Sequence, residues 1–178
     1  CITLDLRAPE VKDVFLKLIA QSDVLIENFR TGTLDKWGLD YQTLKQANPK
    51  IIVVRVTGYG QTGPYKHLAG FGTPATAYAG LTYLQGYPDR PPVSPPFSLT
   101  DYVCGIYAAM SAAIALYYRD AKNGAGQEID LSLYEGIFRM FEFLVAEYDK
   151  NGVIRERKPF MSGSSSPSGT YQTKDGKW

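Results

Sequence analysis

Cysteine is nearly absent from this sequence: Cys1 and Cys104 are the two present among 178 residues, and no Cys-x-x-Cys pair occurs. That excludes a disulfide framework and a thiolate metal site, and it suits a reducing compartment, so a cytoplasmic location is expected. Histidine is scarcer still. His67 stands alone, with no His-Glu-x-x-His pattern, so no metal site is expected. No sign of charge dominates either. Nineteen Lys and Arg against eighteen Asp and Glu leave +1, which gives no electrostatic case for nucleic acid or an anionic membrane as partner. Long apolar runs are missing: Ile51-Ile-Val-Val54 is broken by Arg55, far short of the roughly 20 residues a span requires.

What is present is 44% hydrophobic, enough for one globular core. Pro9 opens a helix whose apolar residues Val11, Val14, Phe15, Leu18 and Ile19 recur at helical offsets. Asp23-Val-Leu-Ile-Glu27 reads as a short buried strand. A helix runs from Asp40, a good N-cap, to the stop at Asn48-Pro49, and Ile51 to Val56 reads as a strand covered on both faces. Strands alternating with helices at this spacing predict an α/β parallel sheet. A glycine-punctuated loop, Thr57-Gly-Tyr-Gly-Gln-Thr-Gly-Pro64, follows at the strand end where such sheets place ligands.

Residues 73 to 81 predict a short alanine-rich helix, and Pro88 to Pro96, with five of the eleven prolines, an extended connection. Thr100 to Arg119 predicts one long, deeply buried helix carrying Val103, Ile106, Tyr107, Met110 and Ile114. Its small residues, Gly105, Ala108, Ala109, Ala112 and Ala113, let neighbours approach. Gln127 to Leu131 predicts a strand, Tyr134 to Asp149 a helix, and Ser162 to Gly169 a Ser/Gly linker. Ile2 to Leu6 reads as a strand in progress and Thr173 to Trp178 as an interrupted hairpin, so the chain reads as a fragment.

Two places invite chemistry. Asp101 sits in the first turn of the long helix, with Ser98 or Thr100 as cap. It is either a helix-start acid favoured by the dipole and free N–H groups, or a carboxylate nucleophile able to attack an activated acyl group. Glu27-Asn-Phe-Arg-Thr-Gly32 is either a solvated surface turn or a phosphate site, with Lys36 as a second positive charge. The glycine loop lacks the Lys-Ser/Thr of a phosphate-binding loop, His67 reads as a surface residue, and Cys104 reads as an inert buried thiol. Residue chemistry alone stops there, short of naming a reaction.

The motifs, taken in order, resemble the family III CoA-transferases of the formyl-CoA and carnitine-CoA type, the CaiB/BaiF family. They are Leu4-Asp-Leu6, Ser22-Asp-Val-Leu-Ile-Glu-Asn-Phe-Arg30, Trp37-Gly-Leu39, Asn48-Pro49, the glycine loop to Pro64, Thr100-Asp-Tyr102, and Gly126-Gln127 through Leu131-Ser-Leu-Tyr-Glu135. The resemblance implies Asp101 as catalytic residue, acting through a mixed anhydride and an aspartyl-CoA thioester. It implies CoA contacts at Asn28, Phe29, Arg30, Lys36, Ala69, Gly70, Phe71 and Gly72, with acyl-CoA as substrate and no permanently bound cofactor. A Gly-rich lid falls near Gly163 to Gly169, where serines replace most of the glycines.

Relatives that racemise acyl-CoA carry a proton-shuttling histidine and acid where Phe71 and Gly72 stand here, which favours transfer over racemisation. The same resemblance implies an interlocked homodimer and a division of the chain. Residues 1–87 would belong to a Rossmann-like CoA-binding domain, 88–97 to the proline-rich connection, 98–149 to a helical segment with the catalytic Asp, and 150–178 to a linker and the start of a small domain. The alternatives are an acyl-CoA racemase or isomerase on the same scaffold, and a non-catalytic CoA-binding module.

Overall fold

A computed structural model describes residues 1–141, 143–158 and 167–178. The chain runs α1 (Pro9–Ile19), β1 (Val24–Glu27), α2 (Thr33–Lys36), α3 (Tyr41–Ala47) and β2 (Ile52–Thr57). It continues with α4 (Gly72–Tyr78), α5 (Leu81–Leu84), α6 (Leu99–Ala121), β3 (Glu128–Ser132), α7 (Leu133–Arg139) and α8 (Leu144–Asn151). The three strands form one parallel sheet in the order β1-β2-β3, with Val24 opposite Ile52 and Val53 opposite Glu128. The architecture is therefore mixed α/β, as expected. β3 comes from beyond the proline-rich connection, so that part of the chain returns a strand to the same sheet.

Strand β2 explains the two layers. Its residues alternate between faces, and both faces are covered. Ile52 and Val54 pack against Ala108, Ala112 and Ala115 of α6, while Ile51 and Val53 pack against Ile19 of α1 and Leu44 of α3. Helix α3 starts where Asp40 accepts the Thr43 backbone N–H at 3.0 Å, and Asn48 stops it by donating to the Ile19 and Ser22 carbonyls. At the far end of α6, buried Arg119 ties the helix to the start of β1 through Asp23, 2.8 Å away.

Several expectations need correction. The long helix is not deeply buried. It lays its small side chains on the sheet because bulky Ile52 and Val54 leave room only for alanine. Ile106, Met110, Ile114 and Tyr117 then point outward, 48–68% exposed. By length and composition α6 is also long and apolar enough to cross a membrane, contrary to the expectation that no such run exists, and 33% of that apolar window is buried inside the protein. Its start is not capped by a side chain: Ser98 makes no capping bond, and Thr100 bonds elsewhere.

The helix expected over Tyr134 to Asp149 is two helices. The chain turns between them and seats Phe141 among Ala79, Val103 and Ile137. Residues 73 to 81 likewise divide, at Gly80, whose φ of 94° breaks α4 from α5. Among the described residues Ile2 to Leu6 pairs with no strand and forms none itself. Thr173 to Lys177 closes as a turn, Thr173 N–H to Lys177 O at 2.7 Å, rather than as a strand pair. Most of the Ser/Gly stretch, through Ser166, lies outside the described residues, and the lid reading with it.

Candidate active site

All three strands end at one edge of the sheet, at Glu27, Thr57 and Ser132. A cavity of about 540 Å³ opens there. Asn28, Phe29 and Arg30 form one wall, Gly70 and Phe71 another, and Asp101 with Gly105 of α6 a third. Six of the nine expected site residues thus converge on one space. Lys36, exposed on α2, and Ala69 lie outside the lining, and Gly72 borders the next chamber instead.

The strand-end wall is built by charge. Glu27 is 7% exposed and accepts the Phe29 backbone N–H at 2.7 Å, which folds the chain back immediately after β1 and carries Arg30 to the cavity rim. Behind it lies Arg55, 3% exposed, which the sequence reading saw only as an interruption. Its Nη1 stands 3.9 Å from Glu27 and 3.4 Å from Asp35. Its Nε is 2.7 Å from Glu128, an ion pair by distance whose N–H is not aimed at the oxygen. Burial pushes the Glu27 carboxyl above its usual range, against the Phe29 N–H and the Arg55 charge, which pull it down.

The loop after β2 spells Gly-x-Gly-x-x-Gly from Gly58 to Gly63, which corrects the expectation that it does not match that pattern. No helix opens from it, since α4 begins only at Gly72, so it is no dinucleotide fingerprint. Its glycines serve another purpose. A Cβ on Gly58 would stand 2.6 Å from Gly70 Cα, so two backbones meet where no side chain fits. Asp130 holds the loop by accepting the Gln61 N–H at 2.9 Å. Lys66, which the sequence reading missed, joins the cavity lining as a second cation beside Arg30. Only the folded loop places it there.

Asp101 stands at the junction of spaces. The cavity of about 540 Å³ and a second, more open chamber of about 760 Å³ share Phe71, Asp101, Gly105 and Ala109. The second chamber adds the hydroxyls of Thr73 and Ser98 and contains no Lys or Arg. Among the described residues the Asp101 carboxylate accepts no hydrogen bond, so its lone pairs are uncommitted. Cys104, one turn on, is no competitor. Burial, then the charges of Asp101 and Glu135, push its thiol up to about 11. His67 lies exposed and outside the lining. Among the described residues no group of His, Cys, Asp and Glu could hold a metal ion.

The profile of CoA-transferase family III matches residues 1–178. The chain belongs to that family. It is 45% identical over 178 residues to the alpha subunit of succinyl-CoA–L-malate CoA-transferase from Chloroflexus aurantiacus, covering 99% of this chain and 41% of that one. The beta subunit from the same bacterium is 48% identical over 179 residues, covering 99% and 44%. Human succinyl-CoA:glutarate CoA-transferase is 33% identical over 175 residues, covering 98% and 40%. The crystal structure of a CaiB/BaiF family protein from Brucella suis superimposes with a TM-score of 0.86 at 35% identity, covering 98% of this chain and 46% of that one. The chain therefore spans somewhat less than half the length of these relatives.

Proposed function

We propose that the protein to which this chain belongs moves coenzyme A from an acyl-CoA to a free carboxylic acid, with Asp101 as nucleophile. The observation that carries this is the position of Asp101: a carboxylate with no hydrogen-bond partner among the described residues, in the wall shared by a cation-bearing cavity and a chamber lined by no Lys or Arg. CoA brings phosphates, which Arg30 and Lys66 suit, and an adenine ring, for which Phe29 offers a face. Asn28, Gly70 and Phe71 line the same channel, and Gly72 borders the chamber beyond. Lys36 and Ala69 would contribute from outside the cavity.

An Asp101 oxygen attacks the thioester carbonyl, the C–S bond breaks, and CoA leaves as thiolate from a mixed anhydride. The thiolate attacks the aspartyl carbonyl of that anhydride, which forms aspartyl-CoA and releases the first acid as carboxylate. The acceptor carboxylate then attacks the aspartyl thioester, giving a new mixed anhydride and thiolate. Thiolate attack on its acyl carbon makes the new acyl-CoA and returns Asp101. No proton carrier is needed. Phe71 supplies none, which speaks against racemisation. Both covalent species hydrolyse readily, so the site works only if water is excluded.

The relatives are named for succinyl-CoA with malate or glutarate, and the second chamber presents hydroxyls to an acid's far end. We infer a short dicarboxylic acid as acceptor. The expected interlocked assembly is retained as part of this reading. It is supported by the outward apolar face of α6, and the Chloroflexus names, alpha and beta subunit, allow either a second copy or a related chain as partner. The domain division at residues 87, 97 and 149 and the cytoplasmic location belong to the same reading.

Full-length protein incubated with succinyl-CoA and a panel of carboxylic acids, followed by mass spectrometry, tests it. A new acyl-CoA with an equal amount of free succinate is expected for at least one dicarboxylic acid. Deuterium from solvent at the acyl α-carbon without any exchange of acids would replace transfer by isomerisation.

A further inference from the structure

Beside Asp101 stands a residue that takes no part in the steps above. A Cβ placed on Gly72, the first residue of α4, would lie 2.0 Å from Asp101 Oδ2 and 3.0 Å from its Cγ. Gly72 is not in the left-handed region that favours glycine, so its backbone would accept alanine without strain. The three nearest atoms such a Cβ would meet all belong to the Asp101 carboxylate.

The carbonyl of the same residue is held with unusual care. Thr76 Oγ1 and Thr100 Oγ1 each lie 2.8 Å from Gly72 O, and the two hydroxyl oxygens are 2.6 Å apart. Thr100 is fully buried and Thr76 is 3% exposed. Two hydroxyl hydrogens serve three oxygen contacts: one goes to the carbonyl, the other to the same carbonyl or to the neighbouring hydroxyl. The Thr76 bond lies within α4, whereas the Thr100 bond crosses from α6 to α4 at the residue just before Asp101. Because both threonines are buried, breaking such a contact leaves a polar group without its partner.

We infer that Gly72, Thr76 and Thr100 form a positioning latch, which fixes the place of the Asp101 carboxylate against a surface without a side chain while leaving its oxygens free. The inference rests on Asp101 being the nucleophile. A carboxylate held by hydrogen bonds is oriented but less nucleophilic; one held by a steric wall and an anchored backbone is oriented without that loss. The three residues are positioning residues, since none of them touches the reacting carbonyl in this scheme.

The experiment uses full-length protein and measures the single-turnover rate of covalent adduct formation at Asp101 under saturating succinyl-CoA, together with CoA affinity and melting temperature. Gly72→Ala should slow the adduct by about 100-fold, the scale of a 1 Å misplacement. Its melting temperature should hold, because only the end of a flexible side chain must move, and any loss of CoA affinity should be far smaller than the loss of rate. Thr100→Val should slow the adduct about tenfold, and Thr100→Ser should restore it. Gly72→Ala forming adduct at the wild-type rate overturns the latch, even if Thr100→Val fails to fold. So does a Thr100→Val defect that lies in CoA affinity, or that serine does not rescue. Wild-type protein that turns over without any adduct at Asp101 overturns the nucleophile and the latch together, whereas adduct in wild type and unchanged adduct in Gly72→Ala condemns the latch alone.

Discussion

Two of the three walls of the cleft are made by different physics. On the strand-end side, Arg55 gathers Glu27, Asp35 and Glu128 around one buried guanidinium, Glu27 folds the chain after β1, and Arg30 reaches the rim. On the helix side, Asp101 stands without a hydrogen-bond partner among the described residues, against a glycine and beside two buried threonines. One wall is charge held in place by charge; the other is a single charge left alone and placed by shape. The difference teaches that affinity and chemistry should be separable here. Substitutions on the first wall should change how tightly a CoA thioester binds, and those on the second how fast it reacts.

The largest effect separates them most sharply. Asp101→Asn should lower transfer by at least about 10³-fold, since the amide cannot form the anhydride, while CoA affinity measured by calorimetry stays near wild type. Equal losses in both would erase the distinction between the walls. Next come the rim cations. Arg30→Ala and Lys66→Ala should each raise KM about tenfold with a smaller change in kcat, and the effect should shrink as salt is raised. A kcat effect with unchanged KM would move those residues to the reacting side.

Two weaker effects sharpen the picture through stability. Burial raises the folded-state pKa of Glu27 above 4.5, so the folded chain binds that proton more tightly than the unfolded one. Its contribution to stability therefore falls as pH rises from about 4.5 through the raised value, and Glu27→Gln should flatten that part of the melting-temperature profile. Parallel profiles would mean that Arg55 fully offsets the burial. The smallest effect lies away from the cleft. Asp40→Ala removes the cap of α3 and should cost about 1 kcal/mol without altering kcat. The Thr43 bonds hold the Asp40 carboxyl below 3.8, so this deficit should persist above that pH and vanish as the group protonates below it.

How much of this was legible in the sequence depended on whether one face of an element was apolar or two. α1, α3 and β2 were readable because Pro9, Asp40 and Asn48 punctuate them and Ile51 to Val54 needs cover on both faces. α6 was readable as a helix but not in orientation. Ile106 and Ala108 both look like core residues, and the choice between them is made by the bulk of Ile52 and Val54, which lie far away in the chain. The break between α7 and α8 carries no proline or glycine at the turn, and packing of Phe141 decides it. Ile2 to Leu6 has strand composition, but a strand exists only with a neighbour to pair with.

The site divides in the same way. Asn28 to Arg30 and Asp101 sit in contiguous motifs; residue chemistry marks them as candidates, and family resemblance implies their roles. Arg55 and Thr100 act through contacts with residues distant in sequence, and Lys66 reaches the cavity lining through the fold of its loop. In the sequence Arg55 is only a charge inside an otherwise apolar strand and Lys66 a lysine beside a glycine loop, patterns that fit many proteins, while Thr100 reads as a cap and makes no capping bond. Lys36 looks right by spacing, yet it stands exposed on α2 and outside the cavity lining.

The central claim is that Asp101 becomes acylated. Intact full-length protein mixed with succinyl-CoA, quenched with hydroxylamine, digested and sequenced by mass spectrometry tests it most directly. The account predicts a hydroxamate on the peptide carrying Thr100-Asp-Tyr102, at Asp101 and absent from Asp101→Asn. Continued turnover with that peptide unmodified at every time point would contradict it.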